Sequence, residues 1–99
     1  MSFTLRISAK AQGDLERLFS FLAERDYPAA LRARAAITTA YQRLCDMPFA
    51  CRKADPDTPF LRELVIPFGR NGYVALFEID NNETVTVLTV RHQLEEDYH

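Results

Sequence analysis

The segment from Gly72 to His92, GYVALFEIDNNETVTVLTVRH, limits what this chain can fold into more than any other stretch of its 99 residues. Tyr73, Ala75, Phe77 and Ile79 share one parity and Val74, Leu76 and Glu78 the other, the two-residue period of a strand with one buried face. Asn81-Asn82 interrupts the run, and asparagine tolerates the positive φ angles that two-residue hairpin turns require. The return strand, Val85 to Val90, is β-branched or leucine throughout. A two-residue loop at Asn81-Asn82 predicts Asp80 opposite Glu83, Phe77 opposite Thr86 and Ala75 opposite Leu88. Tyr73, Ala75, Phe77, Ile79, Leu88 and Val90 then form a core face that ends at His92. Val74, Leu76, Val85, Val87, Glu78, Thr89 and Arg91 fall on a more open face where a ligand or partner would sit.

Upstream, Phe3, Leu5 and Ile7 alternate with polar residues, a short half-buried strand. Ser8 is placed to cap a helix that starts at Ala9 and runs to about Arg25, with Leu15, Leu18, Phe19 and Leu22 as its apolar stripe. Gly13 costs that helix about 1 kcal/mol relative to alanine, with close packing as the one compensation the sequence suggests. Asp26 and Pro28 restart the chain as cap and first turn of a second helix reaching about Asp46. Its stripe of Ala30, Ala33, Ile37, Ala40 and Leu44 allows close approach to the first helix, so residues 9–46 read as an antiparallel helical hairpin. Arg32, Arg34 and Arg43 lie off the stripe, as a solvated face does. Pro48, Pro56 and Pro59 mark an irregular connection, and Leu61 to Ile66 is the next strand, closed by Pro67 and the turn signals Gly69 and Asn71-Gly72.

The expected fold is therefore α+β in the order β-α-α-β-β-β, one domain over residues 1–99, with the helical hairpin packed on a small, mainly antiparallel sheet. At this length one core is possible and two are not. The formal charge of −2 argues against unaided binding to RNA or duplex DNA, which calls for a strong basic excess. No run approaches the ~20 apolar residues of a membrane span, and the N-terminus lacks a signal peptide's apolar core, so a cytoplasmic protein without a membrane role is expected. Cys45 and Cys51 match no standard zinc spacing and are expected as free thiols; neither a metal nor a cofactor is expected.

Three segments carry a family resemblance: RISAKAQGDLERLFSFLAERD, leading from a strand into the hairpin; LRELVIPFGRNGYVALFEID; and, most specifically, VTVLTVRHQLEEDYH, with Arg91-His92 closing the fourth strand. Over almost its whole length the chain resembles the RelE/ParE superfamily of bacterial type II toxins, and within it the ParE-like branch. The resemblance implies a toxin encoded beside a ParD-like antitoxin, in the manner of plasmid stabilisation systems. The antitoxin's C-terminal segment would wrap the toxin while its N-terminal part binds operator DNA, so the toxin would meet DNA only indirectly. ParE proteins poison DNA gyrase, whereas RelE proteins cleave mRNA on the ribosome.

RNA cleavage through the 2′-hydroxyl needs a base, cations to stabilise the phosphorane, and an acid for the leaving oxygen. RelE-like enzymes supply these with lysines and arginines on the open sheet face and a C-terminal tyrosine or histidine. This sequence has Val74 where the resemblance places an arginine, Arg62 beside Glu63 on the preceding strand, and Gln93 where a basic residue should follow His92. A residual set of Glu63, Arg91, His92, Tyr98 and His99 would be the catalytic group of a nuclease. For contact with a target or partner, Arg62, Arg70, Arg91, His92 and Tyr98 are the candidates; Arg62 and Arg91 have a structural alternative in pairing with Glu63, Glu78 or the acidic tail. The leading expectation is a ParE-like gyrase inhibitor without catalytic residues. A ribosome-dependent mRNA interferase is the enzymatic alternative, and a non-toxic co-repressor module the third.

Overall fold

The computed structural model describes residues 2–94. Its elements are β1 (Thr4–Ile7), α1 (Ala9–Ala23), α2 (Tyr27–Asp46), a 3-10 turn at Pro48–Ala50, β2 (Arg52–Lys53), β3 (Leu61–Phe68), β4 (Asn71–Ile79) and β5 (Thr84–His92). They form a five-stranded sheet in the order β1-β5-β4-β3-β2, in which β1 runs parallel to β5 and every other pairing is antiparallel. The α+β fold and element order agree with the expectation; the two-residue edge strand β2, hidden in the proline-rich connection, is the addition.

Both helix starts form as their sequences dictate. Ser8 Oγ accepts from the Ala11 amide at 3.0 Å, and Asp26 Oδ1 accepts from the Ala29 amide at 3.0 Å. The small-residue stripe of α2 is buried from Ala30 to Leu44, and its Ile37, Tyr41 and Leu44 join Phe77, Ala75, Ile66, Val85, Val87 and Val90 in one core between the hairpin and one face of the sheet. Gly13 has no packing role: a Cβ built there meets nothing within 4 Å. No helix among the described residues is long and apolar enough to cross a membrane.

The β4–β5 register departs from the expected one in two ways. The loop is one residue longer, since the Asp80 amide donates to the Thr84 carbonyl at 2.9 Å. A two-residue turn of the expected type needs positive φ at its central positions, yet among the described residues only glycines have it. Instead, Asn81 Oδ1 accepts from the amides of Glu83 and Thr84 at 2.7 and 2.8 Å, closing a wider turn with its side chain. Then, because Phe77 is opposite Val87 while Leu76 is opposite Thr89, Leu88 is the extra residue of a β-bulge.

These two changes correct the face assignment. Val85 and Val87, expected on the open face, are fully buried in the core, and Leu88, expected in the core, is half-buried at the bulge. Past the bulge the parity returns to the expected one: Val90 opposes Ala75 and His92 opposes Tyr73. The bulge is held from α1. Ser8 Oγ donates to the Leu88 carbonyl at 2.9 Å, and the Val90 amide donates to Asp14 Oδ2 at 3.0 Å. These side chains take over where β1, paired only to Thr84–Val87, stops.

Pro67 does not close β3, which continues to Phe68. Ile79 donates to the Phe60 carbonyl and Ala54 to the Leu61 carbonyl, so in β3 the even residues bond to β4 and the odd ones face the β2 edge. Pro67, paired with Gly72 across the ladder, thus points its missing donor at an edge that β2 does not reach. Opposite it, Gly72 has φ 125°, and a Cβ there would overlap the Ile66 carbonyl oxygen.

Candidate functional site

The described candidate residues sit in three separate places, set by strand parity. Arg62 opposes Phe77 on the helix-facing side of the sheet. Its Nε donates to the Pro59 carbonyl at 2.8 Å and its Nη1 to the carbonyls of Phe49 and Cys51 at 3.1 and 2.8 Å, while its guanidinium lies 5.2 Å from the Phe49 ring centre. The loop from Met47 to Phe60 is wrapped around this side chain. Burial pushes the Cys51 thiol up, an effect partly offset by the nearby Arg62 charge, and Cys45 is raised by burial and by Asp46. Both are half-buried free thiols, as expected.

Glu63 and Arg91 lie on the opposite, open face. Glu63 opposes Leu76 and Arg91 opposes Val74, so the two sit diagonally across β4. Glu63 Oε1 accepts from Arg52 Nε at 2.9 Å, pinning β2 to β3. Arg91 Nη1 reaches the carbonyls of His92 and Gln93, both at 3.4 Å. Val74 is buried and Val65 exposed on this face. Farther along, Glu78 has its carboxyl raised, first by a hydrogen bond with Asp80 and then by burial and the Asp80 charge. Asp80 in turn accepts from Thr86 Oγ1 at 2.6 Å. The face is thus apolar in the middle, with carboxylates on β3 and β4.

The third place is a groove of about 600 Å³ between the end of α1, the β3–β4 turn and the end of β5. Here the fold brings Arg70 and His92 together, with Arg17, Phe21, Phe68 and Leu94. Arg70 is exposed in the turn, as expected. His92 packs edge-on against Tyr73 with ring centres 5.7 Å apart, and its Nδ1 accepts from the Leu94 amide at 3.1 Å, consistent with a histidine that organises the strand end. Phe21 and Leu94 are 58% and 72% exposed, so the groove offers apolar surface flanked by arginines. Sequence reasoning missed both. Phe21 carried a signal, being a large aromatic one position off the α1 stripe. Tyr98 and His99 lie outside the described residues.

No group of three or more His, Cys, Asp or Glu among the described residues is placed to hold a metal ion. A helical hairpin on one face of a mixed sheet, with Arg-His ending the last strand, is the architecture expected from the family resemblance of the sequence. The comparisons agree. The chain matches the ParE toxin of type II toxin-antitoxin systems, parDE, over residues 5–97. It is 35% identical over 96 residues to Toxin RelE1 of Caulobacter vibrioides, covering 97% of this chain and 99% of the relative. Among solved structures, the chromosomal ParDE system from P. aeruginosa superposes with a TM-score of 0.72 at 20% identity, covering 92% of this chain and 96% of that one. The toxin-antitoxin complex RelBE2 of Mycobacterium tuberculosis gives 0.63 at 21% identity, covering 93% and 99%.

The protein belongs to the ParE toxin family. It is the toxin of a type II toxin-antitoxin pair, and an antitoxin is its partner.

Proposed function

We propose that this toxin acts as a non-enzymatic ligand of DNA gyrase and is held inactive by a ParD-like antitoxin. The observation that carries the reading is the parity of the cationic candidates. Arg62 points away from Arg91, through the opposite face of the sheet, and is engaged by the carbonyls of Pro59, Phe49 and Cys51. Phosphorane stabilisation in RNA cleavage rests on several preorganised cations converging on one phosphate. The open face instead carries Val74 and Leu76 beside Glu63 and Glu78, with its Arg52 engaged by Glu63 and its Arg91 turned toward the His92 and Gln93 carbonyls. The groove holding Arg70, His92, Phe21 and Leu94 suits protein contact better, as apolar area rimmed by arginine.

A supercoiling assay with purified toxin tests this directly. Inhibition with trapped cleavage complexes is expected, and Arg70→Glu should weaken it at least tenfold without unfolding the protein. Unchanged supercoiling at micromolar toxin would reject the proposal. The name of the Caulobacter relative, Toxin RelE1, favours the other reading, a ribosome-dependent mRNA interferase. Codon-positioned cuts in primer extension on mRNA from induced cells would establish that reading in its place.

A further inference from the structure

The groove between the end of α1, the β3–β4 turn and the end of β5 carries charge of one sign. Arg17 and Arg70 line it with His92, and no aspartate or glutamate among the described residues does. Arg25 adds a further guanidinium, 3.8 Å from the centre of the Phe21 ring that forms one of its walls. Asp14 comes within 4.0 Å of Arg17 Nη2, but its Oδ2 is committed to the Val90 amide at 3.0 Å. Phe21 and Leu94 leave most of their surface in the open. In a chain of net charge −2, such a groove selects an occupant that is anionic and partly apolar.

The chain itself supplies one. Leu94, the last described residue, lines the groove, and the sequence continues Glu95-Glu96-Asp97-Tyr98-His99, carboxylates followed by an aromatic ring. Five residues reach up to about 17 Å, so the segment leaves from inside the space that its chemistry fits. We propose that residues 95–99 fold back into this groove in cis, their carboxylates set against Arg17 and Arg70 and the Tyr98 ring laid against Phe21 and Phe68. Exposed ion pairs hold little singly. Attachment at Leu94 compensates, because a short tether keeps its segment at millimolar effective concentration. Any macromolecule that uses the groove must displace the segment first, which makes it a gate on the target contact proposed above. The docking itself does not rest on gyrase being that target.

The chain has no tryptophan, so Tyr98→Trp installs a single fluorescent reporter. In the 99-residue protein its indole emission should be blue-shifted, and acrylamide should quench it severalfold less than in a free peptide of residues 94–99 carrying the same substitution. Arg70→Glu, at an exposed turn position, should return quenching to the free-peptide level with the Tm unchanged. Glu95→Lys combined with Glu96→Lys should do the same from the other side, and serves alone if Arg70→Glu fails to fold. Protection should not vary with protein concentration. Gyrase is absent from the assay, so failure of the gyrase reading leaves this outcome untouched. The proposal is overturned if quenching in the parent equals that of the free peptide, if protection survives both charge reversals, or if it falls on dilution, which would seat the segment on a second copy instead.

Discussion

Replacing Asp14 with alanine isolates the contact by which α1 holds the end of β5. The Asp14 side chain is 11% exposed, and its Oδ2 accepts from the buried Val90 amide at 3.0 Å. Deleting it leaves that amide without an acceptor where β1 has already ended, at a cost of about 1–3 kcal/mol. Lys10 Nζ at 3.2 Å and Arg17 Nη2 at 4.0 Å also approach the carboxylate, but the lysine and arginine side chains are 61% and 54% exposed. Such pairs on a helix surface add only about 0.3–0.5 kcal/mol each. The expected loss is therefore about 2–4 kcal/mol, dominated by the orphaned amide. Asp14→Asn keeps an oxygen acceptor and gives up the charge, so it should lose less than about 1 kcal/mol. Urea unfolding with an unchanged m-value would show the difference as a midpoint about 1–2 M lower for the alanine variant. Hydrogen exchange should place the loss at the Val90 amide. If Asp14→Asn is as destabilising as Asp14→Ala, or if Asp14→Ala costs less than about 0.5 kcal/mol, the amide-capping account is wrong.

Two further perturbations test other parts of the fold. Gly13→Ala puts a methyl group into open space on α1 and should raise stability by about 0.5–1 kcal/mol in the same urea assay; a loss would contradict the open space around Gly13. Burial raises the Tyr41 pKa from 10.0 to about 12, so above about pH 10 the unfolded chain releases a proton that the native state retains. This contribution to stability is intact below pH 10 and is lost as the pH climbs through 12, falling by up to about 3 kcal/mol. Denaturation between about pH 9 and 11 should show a shallower alkaline decline in Tyr41→Phe than in the parent. Identical slopes would contradict the burial argument; Tyr73, Cys45 and Cys51, also raised by burial, contribute to the decline that remains.

The helical hairpin was legible because its information is local. Caps at Ser8 and Asp26 and the alanine stripe of α2 are read within a few residues, and each appears as expected. The succession of elements along the chain, apart from the short β2, was legible for the same reason. Register was not, because it depends on a turn geometry and a bulge that no single residue announces. Asn81-Asn82 suits a two-residue turn, but asparagine can also close a longer one with its side chain, and tertiary packing chose the longer form. Nor does Leu88 look different from its neighbours. What sets the bulge is Ser8 and Asp14, more than 70 residues away in sequence.

Those two corrections explain why the site was harder to read than the fold. A strand slipped by one residue exchanges its faces, and here the longer turn and the bulge offset each other. Val85 and Val87 moved into the core while Val90 and His92 stayed where simple alternation had put them. The sequence reading of the C-terminal half of β5 was right although its reading of the N-terminal half was wrong. Arg91 and His92, adjacent in sequence, were therefore correctly sent to opposite faces: Arg91 to the open one with Glu63, His92 to the helix side with Tyr73. Arg62 was the residue that adjacency to Glu63 misrepresented. The same parity that divides Arg91 from His92 divides it from Glu63, placing its guanidinium inside a loop whose carbonyls no sequence pattern shows converging. A site assembled by strand neighbours thus dissolves into three once parity is applied, with Arg62 held in its loop, Glu63 and Arg91 sharing the open face, and Arg70 and His92 lining one groove.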